Sequence, residues 1–301
     1  MTVSLKKQPV YWVLRGLSSL PLPILYILAR FFTFCAWHGK SQLRRITELN
    51  LQYCFPNMAN DERETLAKAS VLETMNVAVE MPLTLFRPPE ESLARIDSVV
   101  GGELIENFVA EGYGVIVLAP HLGNWEYLGL YLVERYNCAF MYKPVANETV
   151  NTLIKRARTQ TGATLMPTNK QGVMGLLKHL KKGGISGILP DQVPDDAASR
   201  VVAPFHGQAA QTMSLVSSFA KKPNIKVVAA FSKRLPNKQF ELVFQPVDDD
   251  LYSKDVEISA AAVNKAVEKL IEQAPAQYQW EYKRFKYDEH GRKHQLYKKA
   301  K

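Results

Sequence analysis

The feature that most constrains this chain is a change of texture at about Ile96. From there on, short apolar or β-branched runs alternate with stretches of helical period. Segments 115–119, 139–142, 164–166, 185–189, 227–231 and 240–244 read as strands, and 124–134, 146–160, 171–181, 211–221 and 259–273 as helices. The last of these sets Val263, Ala266, Val267, Leu270 and Ile271 on one face and stops before Pro275. Such alternation predicts an α/β fold, a central mixed β-sheet covered by helices, in one catalytic domain over residues 41–301. Ahead of the alternation, 42–53 and 61–85 read as helices, the second with Asn60 as N-cap and with Asp61 and Glu62 complementing its dipole. At 301 residues and 47% hydrophobic the chain can bury a sizeable core, which excludes disordered and collagenous classes. No internal repeat or low-complexity tract interrupts it.

Three cysteines, Cys35, Cys54 and Cys138, are odd in number and far apart, which argues against a disulfide framework or a zinc ribbon and for a reducing, cytosol-facing setting. The net charge of +9 is concentrated at the ends. Residues 1–50 hold seven Lys/Arg against one Glu, and 281–301 hold eight against three acids. Basic ends beside apolar sequence suit an anionic membrane surface. Nucleic acid is not an expected partner, because neither an RNP motif nor paired finger cysteines are present. Between Gly16 and Trp37, 15 of 22 residues are apolar, yet Pro21, Pro23 and Arg30 interrupt them. A spanning helix needs about 20 consecutive apolar residues, so residues 1–40, flanked by Lys6, Lys7, Lys40, Arg44 and Arg45, form a hydrophobic membrane-associating segment that either spans imperfectly or lies in the interface. A buried helical hairpin is the other reading of the same residues.

The segment richest in chemistry is GVIVLAPHLGNWEYLGLYL, residues 114–132. A buried strand ends at Pro120 and a helix begins near Asn124. On one helix, residues 121 and 126 are about 140° apart at ~100° per residue. With His121 in the loop and Glu126 in the first turn, the carboxylate can fold back onto the imidazole and make it a general base. The N–H groups at the helix start and at Gly123 then offer a positive wall for developing negative charge. Competing chemistries fail: there is no complete G-x-S-x-G elbow, Walker loop, dinucleotide fingerprint or H-E-x-x-H. His290 and His294 lie i, i+4 in a basic tail with Gly291 between them, so no metal site is expected there, and no cofactor is expected.

The run His121-Leu122-Gly123-Asn124-Trp125-Glu126 resembles the H-x-x-x-x-[D/E] box of membrane lipid acyltransferases, in the H-x-G-N-W-E form of the bacterial lipid A biosynthesis late acyltransferases. Other stretches resemble that family in the same order. They are Asn50-Leu51 with Cys54-Phe55-Pro56; Tyr142-Lys143-Pro144, with Lys143 for the usual Arg; Arg158 with Gly162; Asp191-Gln192; Phe205 through Thr212, with His206 for the second Phe; and Gln277-Tyr278-Gln279-Trp280 with Arg284-Phe285. The resemblance runs over nearly the whole chain.

The resemblance implies an O-acyltransferase. A lauroyl- or myristoyl-class chain passes from acyl carrier protein to a hydroxyl of a 3-hydroxyacyl group on a lipid A precursor, in lipopolysaccharide or lipooligosaccharide biosynthesis. The setting is the cytoplasmic face of the bacterial inner membrane, and the enzyme acts as a monomer. Carried over by motif, His121 is the base and Glu126 its orienter; Asn124 shapes the helix start; Lys143 and Arg158 hold phosphate or carboxylate of the phosphorylated glycolipid; and Asp191 and Gln192 wall the site. Phe31, Phe32, Phe34, Met75, Met81, Leu83, Leu85 and Phe86 either line an acyl channel or serve as core. Two rival functions are an acyltransferase for another phospho- or glycolipid using acyl-coenzyme A, and a non-catalytic membrane lipid-binding protein.

Overall fold

The computed structural model describes residues 8–300. Lys6 and Lys7, counted above among the basic flanks, lie outside them. Four helices come first: α1 (Pro9–Ser18), α2 (Leu22–His38), α3 (Gln42–Cys54) and α4 (Asn60–Phe86). Pro9 and Pro23, in the first turns of α1 and α2, cost nothing there because those N–H groups have no partner within the helix. Ala59, not Asn60, is the N-cap of α4, and the Asn60 side chain instead takes Arg63 from within the first turn. α2 buries Leu25 and Ala29 against Val79 and Leu83 of α4. It leaves Ile24, Ile27, Phe31, Phe32 and Phe34 exposed. Among the described residues no single helix is long and apolar enough to cross a membrane; α2 and α3 reach that length and composition only as a pair bent by 75°.

After a short helix α5 (Pro89–Leu93), the α/β part alternates β1 (Ile96–Val100), α6 (Glu103–Ala110), β2 (Gly114–Leu118), α7 (Trp125–Arg135), β3 (Ala139–Tyr142), α8 (Glu148–Gln160), β4 (Thr164–Pro167), α9 (Lys170–Lys181) and β5 (Ile185–Ile188). The chain continues through β6 (Arg200–Phe205), β7 (Gln208–Met213), α10 (Leu215–Ala220), β8 (Ile225–Arg234), β9 (Phe240–Pro246) and α11 (Val256–Gln273). The expected mixed sheet is present, in the order β1-β9-β8-β2-β5. β2 runs parallel to both neighbours, in the registers Leu118↔Ile188 and Leu118↔Ala229, while β8 and β9 are antiparallel. All five residues of β2 are buried, as the continuous apolar run of a central strand requires. The helix expected over 211–221 is half strand: the chain stays extended to Met213 and only Leu215–Ala220 coil. β7 pairs with β6 across a tight turn in which His206 (φ 47°) and Gly207 (φ 74°) both adopt left-handed backbone.

Candidate active site

The register of two adjacent strands builds the site. Leu118 of β2 faces Ile188 of β5, and three residues beyond each, at the same carboxyl edge of the sheet, stand His121 and Asp191. The Asp191 carboxylate grips His121 twice: Oδ2 accepts from the His121 backbone N–H and Oδ1 from Nδ1, both at 2.9 Å. With Nδ1 bearing the hydrogen, Nε2 is the free base nitrogen, and it accepts from the Gln192 side-chain amide at 3.1 Å. Burial pushes the Asp191 carboxyl up, but the charge His121 carries when protonated and the hydrogen bonds it donates outweigh it and hold it below the ordinary range. The buried Tyr278 hydroxyl is raised by burial and by the Asp191 carboxylate, so it keeps its hydrogen. The Trp125 ring stands edge-on to His121 with centroids 4.8 Å apart.

Glu126 does not fold back onto the imidazole. α7 starts at Trp125, capped by Asn124, whose Oδ1 accepts from the Glu126 N–H at 3.3 Å. Glu126 therefore leaves the first turn towards α8 and pairs with Arg158, Oε1 to Nη2, at 2.5 Å. Both side chains of this pair are 29% exposed. The expected wall of free N–H groups is largely spent as well: Gly123 donates to the Gln277 carbonyl at 3.0 Å and Asn124 to the Ser232 carbonyl at 3.1 Å. Gly123 needs to be glycine. Its φ is +62°, and a Cβ would stand 1.8 Å from the Ser232 oxygen. Lys143 stands apart from the His121 cluster, exposed and paired with Asp195.

Beneath the loop lies a charged network that sequence reasoning missed. Glu80 of α4, fully buried, accepts from Asn124 Nδ2 at 2.8 Å, from Arg95 at 3.2 Å, and from Tyr26 and Arg234. Burial pushes Glu80 up, and the Arg234 charge and hydrogen bonds bring it below its ordinary value. The one local signal was a carboxylate on the buried side of a long helix between Val79 and Leu83. Glu281, partly buried in the turn after Trp280, is a second carboxylate that sequence reasoning missed. Burial raises its carboxyl to about 7, and Oε2 has no hydrogen-bond partner.

Two cavities adjoin the site. One, of about 90 Å³, runs between α7 and the β3–β5 side, with Trp125, Glu126, Phe140, Met141 and Leu189 in its walls. The other, of about 50 Å³, lies on the α4 side, between Met81, Leu85 and Ile154. Glu126, Leu130 and Arg158 line both. Of the candidate channel residues, then, Met81 and Leu85 line a cavity, Leu83 is core, and Phe31, Phe32 and Phe34 are outer surface.

Other motif residues tie the segment after α11 to α3 and to the β6–β7 hairpin. Asn50 Nδ2 donates to the Trp280 and Tyr282 carbonyls. The Arg284 guanidinium holds the Gln211 carbonyl at 2.6 Å and Thr212 Oγ1 at 2.9 Å. His206 packs among Phe55, Phe205 and Trp280. Burial lowers its pKa to about 4, so it fills the place as a neutral ring.

Residues 6–287 match the model of a family described as bacterial lipid A biosynthesis acyltransferase. The chain is similar to the Lipid A biosynthesis lauroyltransferase of Escherichia coli (strain K12), 27% identical over 286 residues and covering 92% of each chain. It is similar also to the palmitoleoyltransferase of that organism, 24% identical over 92% of each chain, and to its myristoyltransferase, 28% identical over 84% of this chain and 78% of that one.

Proposed function

The chain belongs to the bacterial lipid A biosynthesis acyltransferases, and from that premise we propose that it moves a lauroyl- or myristoyl-class chain from acyl carrier protein to a hydroxyl of a 3-hydroxyacyl group on a lipid A precursor, acting as a monomer. The observation that carries the reading is His121 Nε2, left as the hydrogen-bond acceptor of the ring by the Nδ1–Asp191 bond, with the Trp125 ring between the imidazole and the cavity that it lines. Nε2 takes the proton of the acceptor hydroxyl as its oxygen bonds to the thioester carbonyl carbon. Asp191 stabilises the imidazolium that results. The tetrahedral intermediate then expels the carrier thiol, which leaves with the proton from His121, so no acyl-enzyme is needed. Glu126 fixes one side of the Arg158 guanidinium, whose other N–H groups are left to bind phosphate or carboxylate of the acceptor. Lys143 adds positive charge at the rim, and Gln192 holds the place the hydroxyl takes. Mass spectrometry of a lipid A precursor incubated with acyl-carrier-protein donor and purified enzyme tests this. One added acyl group is expected, and none with His121→Ala; equal transfer by both proteins would refute it.

We place the enzyme at the cytoplasmic face of the inner membrane, with residues 1–40 as its membrane-associating segment and 41–301 as the catalytic domain. Supporting this are the bare Ile27, Phe31 and Phe34 on α2, Trp12 and Val13 on α1, and the exposed Arg15, Arg30 and Lys40 beside them. These features favour lying in the interface. Substituting Ile27, Phe31 and Phe34 together by Ser should abolish flotation with anionic vesicles while the fold survives, since their side chains are outside the core. Truncation at Ser41 is a poorer test because it also removes Tyr26 from Glu80.

A further inference from the structure

The face of α7 that begins with Glu126 continues through Gly129, Leu130 and Val133, at helical spacings of three, four and seven residues, and all four line the larger cavity. At 1.5 Å per residue, Gly129 lies about 4.5 Å and Val133 about 10.5 Å along the axis from Glu126. Depth in the cavity is thus measured along α7 from the reacting end. Gly129 is an unforced glycine. It is mid-helix, where glycine is costly, and a Cβ there would meet no heavy atom within 4 Å. The opposite wall is opened in the same way: a Cβ on Gly187 would come within 3.2 Å of Phe140 Cε1, so this glycine lets the Phe140 ring lie back against β5. The cavity has a volume of about 90 Å³.

We propose that Gly129 is a specificity-determining residue, the point on α7 where the missing side chain lets the donor's acyl chain pass from the reacting end towards Val133. The proposal rests on the acyl-transfer reading above and deepens it. The occupant is the transferred chain and not a chain of the acceptor, because the two cavities lie on different sides of Glu126. The smaller one is walled by α4, whose last residue, Phe86, packs against Tyr11 of α1 at 5.5 Å between ring centroids. A bilayer-held acceptor arrives from that α1–α2 side. The larger cavity, between α7 and the β3–β5 side, is left for a chain delivered by a soluble carrier. Trp125 joins it to the chemistry, since its ring both lines the cavity and meets His121.

The experiment offers the full-length enzyme a graded series of saturated acyl-carrier-protein thioesters, with lipid A precursor as acceptor, and measures kcat/KM for each length. Each methylene that loses its apolar site should cost about fourfold. Gly129→Leu is expected to lower kcat/KM for the longest good donor by more than about tenfold relative to shorter ones. Gly129→Ala should move the optimum less in the same direction, and its helix is intrinsically at least as stable. Val133→Ala should shift the optimum towards longer donors. An unchanged length profile in Gly129→Leu and Gly129→Ala, both folded by thermal melting, overturns the proposal while leaving acyl transfer intact. Failure of the unsubstituted enzyme to acylate the precursor from any donor would overturn the functional reading itself.

Discussion

Asp191→Asn separates the two carboxylates that compete for the role of orienting His121. In the native site, the Asp191 oxygens accept from the His121 backbone N–H and from Nδ1, each at 2.9 Å, and Asp191 is buried. Asparagine offers one oxygen where two donors point. If that oxygen keeps the backbone N–H, the amide NH₂ faces Nδ1 and forces the hydrogen onto Nε2, which can then no longer accept a proton. If it keeps Nδ1–H, a buried backbone N–H goes unpaired, at about 1–3 kcal/mol of stability. The first outcome disables the base without disturbing the fold. The same exchange in a Ser-His-Asp triad lowers kcat by on the order of 10⁴, or about 5 kcal/mol of transition-state stabilisation.

Steady-state transfer from acyl carrier protein to lipid A precursor, with thermal melting alongside, reads both quantities. Asp191→Asn should lose at least a thousandfold in kcat with little change in acceptor KM, and Glu126→Gln much less in kcat, because Glu126 touches Arg158 and not the imidazole. A folded Asp191→Asn enzyme within about tenfold of the parent would refute this assignment. Were Glu126→Gln then the inactive one, the working complex would have to turn Glu126 from Arg158 to His121.

Substitutions at three further positions test the electrostatics. Glu80→Gln leaves Arg234, whose side chain is 1% exposed, paired with Glu73 alone, and should cost about 3 kcal/mol in denaturant unfolding, the low end for a broken buried pair, with Asn124 and the His121 loop loosened in consequence. His206→Phe bears on pH. The His206 pKa is lowered to about 4, so its contribution to stability is full above the unfolded value near 6.5 and is lost as pH falls through about 4. The variant should lack that acid-linked loss, worth up to about 3 kcal/mol by the size of the shift, and identical melting profiles between pH 7 and 4 would contradict it. Arg158→Ala removes a partly exposed ion pair and should change stability by less than about 1 kcal/mol. It should weaken kcat/KM for the acceptor more than tenfold, with Arg158→Lys recovering only part because Lys lacks the two-point fork; a threefold or smaller loss would return Arg158 to the surface.

What could be read in advance, and what could not, follows from the range of the forces concerned. β2 and the start of α7 were legible because their determinants are local: a continuous apolar run, Pro120 as a stop, and Asn124 as a cap whose side chain bonds two residues ahead. The β6–β7 hairpin was not. Ala203, Pro204, Ala209, Ala210 and Gln211 have little strand preference, and the hairpin is clamped from afar, by Arg284 on the Gln211 carbonyl and by Asn264 on the Pro204 carbonyl. The same division runs through the site. His121, Glu126, Asp191 and Gln192 were all identifiable as residue types in place, but five residues of separation made Glu126 look like the natural partner of His121. Seventy residues make Asp191 its partner in space, because β2 and β5 are parallel neighbours with Leu118 level with Ile188. Equal overhangs of three residues then bring base and carboxylate to one height at the carboxyl edge of the sheet, where open α/β sheets place their ligands. A one-residue slip in that pairing would carry Asp191 about 3.3 Å along the strand direction, beyond the reach of both His121 donors. The register of two short strands therefore sets the geometry of the base we propose, and the apolar residues along that pairing, Val115, Val117, Ile185 and their neighbours, position His121 without touching it.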